Sequence, residues 1–181
     1  MNIIIETFWL LLPAGIANMA PVLFKWVPLL NCPVDFGKTF RGQRIFGAHK
    51  TYRGFLFGTL AAIAIVFLQI HLTSTHPETF LPYSIFDYST INPWLVGFLL
   101  GFGALLGDSI KSFFKRQAGV KSGNPWPPFD QVDWVIGSLG LLSLHVAVSW
   151  SHFGTALLLF LILHPAVNYL GYLLKIKKNK W

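Results

Sequence analysis

Five runs of about twenty mostly apolar residues, set apart by segments that carry all the lysines and arginines but Lys111, constrain this chain more than anything else in it. A helix that crosses a bilayer needs about 20 consecutive apolar residues. The runs cover residues 3–24, 54–72, 94–114, 133–150 and 154–174, and each is predicted to be a spanning helix. Only 12% of the 181 residues are charged, against about 25% in an ordinary soluble domain, too few to wet a compact soluble surface. The fold class predicted is therefore an all-α integral membrane protein, one membrane-embedded domain over residues 1–181. No Lys or Arg precedes Lys25, so the first run lacks the positive flank of a signal peptide and is read as a retained helix.

The 14 cations fall in three groups: six from Lys25 to Arg53, four from Lys111 to Lys121, and four from Lys175 to Lys180. Segments 73–93 and 151–153 have none. With five spans all three groups lie on one side, which the positive-inside rule makes cytoplasmic. The N-terminus is then outside, the C-terminus inside, and two long loops are cytoplasmic. The protein is placed in the cell membrane as a multi-pass protein with its chemistry on the inner side. The segment 73–93 is read as a loop without a chemical pattern. Trp94, Trp134 and Trp150 stand near span ends, as interfacial anchors do. The net charge of +7 points to anionic lipid or a phosphate ligand rather than nucleic acid, because long apolar spans interrupt the basic residues.

Two inner stretches differ from ordinary connectors. From Asp35 to Gly54, five cations (Lys38, Arg41, Arg44, Lys50, Arg53) alternate with four glycines, among them Gly42 and Gly47, and with Thr39 and Thr51. Glycine lets backbone N–H groups approach phosphate oxygens, and Arg adds a bidentate fork. A topology anchor explains the same composition, and the spacing matches no Walker loop.

In the second stretch, Asp108, Lys111 and Lys115 share one face of a continued third helix, with Ser109, Ser112 and Arg116 on the next face. An acid directly after the apolar run up to Leu106 is costly in a membrane and marks a functional site, unless Lys111 only neutralises it. Asp130 and Asp133 are three apart at the start of the fourth run, where an N-cap or a helix-dipole charge is the alternative role. Together the three aspartates form an all-oxygen set suited to Mg²⁺ and substrate phosphates. Pro21 interrupts the first helix, and Asn18 beside it can line a cavity or join helices. The six histidines show no metal-ligand spacing and are read as packing residues, and no Gly-x-Ser-x-Gly elbow occurs. The single cysteine excludes an intrachain disulfide. Transport is disfavoured because the clustered charges gather at one face and no repeat relates two halves.

Six ordered motifs then carry a resemblance over nearly the whole chain: Asn18-Met19-Ala20-Pro21, Asp35-Phe36-Gly37-Lys38-Thr39, Arg41-Gly42-Gln43-Arg44-Ile45-Phe46-Gly47, Lys50-Thr51-Tyr52-Arg53-Gly54, Gly107-Asp108-Ser109-Ile110-Lys111-Ser112-Phe113, and Pro125-Trp126 with Asp130-Gln131-Val132-Asp133. The sequence resembles the CDP-archaeol synthase family. The resemblance implies transfer of a cytidylyl group from CTP to an ether-lipid glycerol phosphate, with release of pyrophosphate and with Mg²⁺. It implies that Asp108, Asp130 and Asp133 hold the metal and that Lys111, Lys115 and Arg116 clamp phosphates. Lys38, Arg41, Arg44, Lys50 and Arg53 would cover the nucleotide or grip the lipid phosphate. Ser112, Lys115-Arg116 and the Asp130–Asp133 motif also match parts of the bacterial phosphatidate cytidylyltransferase signature, but Gly123-Asn124-Pro125-Trp126 replaces its glycine-histidine segment. That leaves phosphatidic acid as the alternative acceptor and favours the archaeol branch.

Overall fold

The computed structural model describes residues 2–121 and 124–173. Helix α1 covers Ile3–Leu23, α2 Tyr52–Thr75, α3 Pro77–Phe80, α4 Pro93–Gln117, α5 Phe129–Leu142 and α6 Trp150–Leu173. Their starts follow local chemistry. The side chains of Asn2, Thr51 and Asn92 accept hydrogen bonds from the first-turn N–H groups of α1, α2 and α4. Pro93 occupies the first position of α4, where no N–H is needed.

Three helices, α1, α2 and α4, are long and apolar enough to cross a membrane. The expected fourth span at 133–150 differs. α5 starts at Phe129 and stops at Leu142, and 143–149 continue as turn and irregular chain. Fourteen residues reach about 21 Å, short of the ~30 Å hydrocarbon core. Ser143 bonds back to the Leu139 carbonyl at 2.7 Å, and Val146 and Val148 are weak helix formers. Both valines pack against the core, where non-helical backbone is tolerated. The segment 73–93 is not a plain loop either. α2 runs on to Thr75, α3 follows, and Phe86 is buried in the core. Trp134 is 5% exposed and packs edge-on against Phe160, so it is a core residue rather than an interfacial anchor, whereas Trp94 and Trp150 are exposed. The four tail lysines lie outside the described residues.

The core runs along α1, α4 and α5 through Leu11, Ala14, Leu100, Ala104, Val135 and Leu139. Glycines decide how closely the helices approach. A Cβ on Gly107 would lie 2.2 Å from the Asp133 carbonyl oxygen, one on Gly137 2.2 Å from that of Gly103, and one on Gly103 2.6 Å from that of Gly137. No side chain fits there, so α4 and α5 cross backbone to backbone, the small-residue packing common between membrane helices. That crossing sets Asp108 and Asp133 side by side.

Between α1 and α2, β1 (Thr39–Phe40) and β2 (Gln43–Arg44) form an antiparallel hairpin with Thr39 opposite Arg44. Arg41 and Gly42 at its tip have φ of 51° and 78°, as a two-residue hairpin turn requires.

Candidate active site

The acid cluster rests on two elements. Asp108 and Lys111 are one turn apart on α4, and Lys115 is one turn further. Asp130 lies in the first turn of α5 and Asp133 follows at the start of the second. The glycine crossing brings the two turns together around one ammonium group. Lys111 Nζ lies 3.2 Å from Asp108 Oδ1, 2.6 Å from Asp130 Oδ1 and 3.0 Å from Asp133 Oδ2. Lys115 donates to both Asp130 oxygens at 3.0 and 2.9 Å. Lys50 reaches over from the loop before α2 and donates to Asp108. The Trp126 N–H also donates to Asp130. The Asp133 side chain is only 5% exposed and that of Lys111 13%, so water screens the charges little. Three carboxylates this close repel one another, and three interleaved lysines balance them.

This cluster lines a cavity of ≈ 830 Å³, within the range of small-molecule sites. Asn18 of α1 and His164 of α6 also line it. A pocket of ≈ 170 Å³ adjoins it, bounded by Asn18, Pro21, Lys50, Thr51, Asp108 and Ser109. Two apolar grooves meet the same centre. One of ≈ 450 Å³ between α4 and α5 ends at Lys111 and Asp133. Another of ≈ 260 Å³ among α1, α5 and α6 ends at Asn18 and His164.

The loop residues divide. Asp35 is buried and accepts from the N–H groups of Gly37, Phe46 and Gly47 at 3.0, 3.0 and 2.9 Å. Arg44 completes the set by donating to the same carboxylate. Burial alone raises the Asp35 pKa, but Arg44 and the three N–H groups outweigh it and hold the carboxyl well below its ordinary value. Arg44 thus fastens the hairpin to the loop. Arg53 is buried and donates to the Val27 carbonyl. Thr51 caps α2 through the Gly54 N–H. The hydroxyls of Ser109 and Ser112 donate to the carbonyls of Leu105 and Asp108, each 2.8 Å away. Lys38, Thr39, Arg41 and Gly42 are exposed at and beside the hairpin. Gly47 and Arg116 line a further polar pocket of ≈ 190 Å³ beside Lys50, Lys111 and Lys115. Of the residues expected at the site, Asn18, Lys50, Asp108, Lys111, Lys115, Asp130 and Asp133 meet in one place.

Sequence reasoning missed Asn124, Gln131, Leu161, His164 and Pro165, which line the main cavity. It also missed the glycine crossing, although Gly103 and Gly107 stand at small-xxx-small spacing on α4.

Three converging carboxylates are hard oxygen donors of the kind Mg²⁺ takes. Among the described residues no three acid, histidine or cysteine side chains are already arranged to hold a metal ion, and the Lys111 ammonium stands at the point of convergence. The donor chemistry fits a hard cation.

Known proteins resemble this chain along nearly its whole length. The CarS-like family model, CDP-archaeol synthase, matches residues 1–181. A CDP-archaeol synthase of Methanopyrus kandleri is 37% identical over 96% of this chain and 91% of its own length. One of Pyrococcus furiosus is 36% identical over the full length of both. A solved structure described as "Structural insight into an intramembrane enzyme for archaeal membrane lipids biosynthesis" superposes with a TM-score of 0.70 at 32% identity, covering 91% of this chain and 94% of that one.

Proposed function

The chain belongs to the CDP-archaeol synthase family, a multi-pass membrane enzyme that transfers a cytidylyl group from CTP to an archaeal lipid, and from that premise we propose how its residues carry the reaction. The acceptor is an unsaturated diether glycerol phosphate, the products are CDP-lipid and pyrophosphate, and the site faces the cytoplasm.

The acceptor phosphate is already an oxyanion at neutral pH, so no protein base or nucleophile is needed. One of its oxygens bonds to the α-phosphorus of CTP. The bond from that phosphorus to the bridging oxygen breaks, and its electron pair leaves with pyrophosphate. Catalysis is then positioning and charge stabilisation. Lys111 and Lys115 exchange carboxylate partners for phosphate oxygens. Asp108, Asp130 and Asp133 would hold Mg²⁺, which supplies charge neutralisation of the triphosphate when bound. Asn18 and Pro21 shape the place where the substrates meet. The two apolar grooves, one ending at Lys111 and Asp133 and the other at Asn18 and His164, accept the isoprenoid tails. Lys38 and Arg41, on the hairpin, draw the anionic headgroup or nucleotide toward the cavity by long-range attraction.

The observation that carries this reading is the lattice of three acids and three lysines around Lys111. A metal-bound triphosphate offers both halves a new partner at once, a cation for the acids and an anion for the lysines. The test incubates purified protein with CTP, Mg²⁺ and a panel of lipid phosphates and measures pyrophosphate. The diether glycerol phosphate is expected to be the best acceptor. Faster turnover of phosphatidic acid moves the chain to the acyl-lipid reaction, and no turnover with any lipid phosphate refutes the reading.

A further inference from the structure

Helix α1 ends at Leu23, beside the pocket that Asn18 and Pro21 share with Lys50 and Asp108, but its apolar surface does not end there. Along the helix Ile4, Ile5, Phe8 and Met19 are exposed, as the lipid-facing side chains of a spanning helix are. Val22 and Leu23 continue this surface, and Trp26, Leu29 and Leu30 follow at 80%, 58% and 44% exposure. The chain stays coiled past the helix. The N–H groups of Phe24, Lys25 and Val27 donate to the carbonyls of Ala20, Val22 and Phe24 at 2.9, 3.3 and 3.1 Å, so Trp26 stays close to the helix end. The headgroup layer begins there and is about 5–8 Å thick, the depth at which tryptophan anchors sit.

So large an exposed apolar run on a connecting loop marks a surface that something else covers. Charge says what. Between Glu6 and Glu78 the sequence has one acid, Asp35, which is buried and paired with Arg44. Lys25 is exposed next to Trp26. No exposed carboxylate in this loop opposes anionic headgroups, and a lysine lays its stem on lipid while its ammonium stays among phosphates. The backbone fixes the segment. Leu30 has φ of 54°, a left-handed conformation rare for a bulky residue. Its carbonyl accepts the Arg53 N–H at 2.9 Å, and the Val27 carbonyl accepts the Arg53 guanidinium. The Val34 N–H donates to the Lys50 carbonyl at 2.8 Å. Residues 27–34 are thus stitched to 50–53, and Lys50 donates to Asp108.

We propose that Lys25–Leu30 is an interfacial anchor: Trp26, Leu29 and Leu30 lie in the headgroup layer of the leaflet nearest the acid cluster, and their seating there holds Lys50 over Asp108. The partner is lipid rather than a second copy of the chain, because the surface continues the lipid-facing side of a spanning helix and carries a cation at its edge. The effect on turnover rests on the cytidylyl-transfer reading, and the seating itself does not.

The full chain is placed in vesicles of phosphatidylglycerol and of phosphatidylcholine brominated near the headgroup end of its acyl chains. Trp26 emission is the difference between this chain and Trp26→Phe. Brominated lipid is expected to quench most of it and aqueous acrylamide little. Quenching by acrylamide instead puts Trp26 in water, quenching by neither puts it against a second copy, and either result overturns the proposal. Trp26→Ser combined with Leu29→Ser changes two exposed side chains, so the unfolding temperature in detergent is expected to stay the same. In vesicles the same variant is expected to lose kcat several-fold with little change in KM for CTP. A kcat equal to that of the unsubstituted chain overturns the hold on Lys50. The quenching measurement uses neither CTP nor lipid phosphate, so a failure of the cytidylyl-transfer reading shows separately, as missing CDP-lipid.

Discussion

Two basic stretches, 35–54 and 107–133, look alike in sequence, and the structure treats them differently. In the second, Asp108, Lys111, Lys115, Asp130 and Asp133 all meet. In the first, Arg44 and Arg53 hold the loop to itself and to the Val27 carbonyl, Lys38 and Arg41 face solvent, and Lys50 reaches the acids. A run of cations thus has two uses that composition does not separate. Some fasten irregular backbone that has no helical hydrogen bonds of its own, and others pair with the acid cluster or face solvent.

The sharpest way to break this contrast is at Lys111. Lys111→Ala leaves three carboxylates crowded without their shared partner, and turnover should fall on the order of 10³, measured as labelled CTP incorporated into lipid. Retained turnover would make the helix cluster as structural as the loop.

The glycine crossing comes next. Gly107→Ala and Gly137→Ala force a methyl against backbone oxygen or a Cα, which should cost about 1–3 kcal/mol and spread α4 from α5. Thermal unfolding in detergent reads the first effect, and a drop in kcat with little change in KM reads the second.

Within the loop the order reverses. Asp35→Ala orphans three N–H groups, a loss of about 1–3 kcal/mol in stability. Its folded pKa lies below the ordinary 3.8, so the contribution of Asp35 is complete above that pH and fades as pH falls below it. Arg44→Ala is expected to lower the unfolding temperature by less than Asp35→Ala, with KM for CTP nearly unchanged. A large rise in KM instead would return Arg44 to the substrate. The smallest effects are expected at Lys38→Ala and Arg41→Ala, a few-fold in kcat/KM that disappears at high salt, because both side chains are exposed.

These contrasts also explain what the sequence could reveal. Asp108, Lys111 and Lys115 were legible because a helix fixes which residues share a face, and Asp130 with Asp133 for the same reason. The Asp35–Arg44 pair was not, since it depends on positive φ at Arg41 and Gly42 that turns the chain back. Gly103 and Gly107 carry a recognisable spacing, yet nothing in it names Gly137 as their partner. His164 and Pro165 sit in an apolar run whose pattern says only that a helix is there. The early end of α5 was hidden because 143–149 remain apolar enough to read as more helix, although their backbone leaves it.

The most direct measurement is transfer of the cytidylyl group from CTP to diether glycerol phosphate by Asp133→Asn, with folding verified by its elution and unfolding temperature. A folded protein whose turnover is lower by on the order of 10²–10³ agrees with an acid cluster at the reacting centre. A folded protein that turns over like the unsubstituted chain contradicts it.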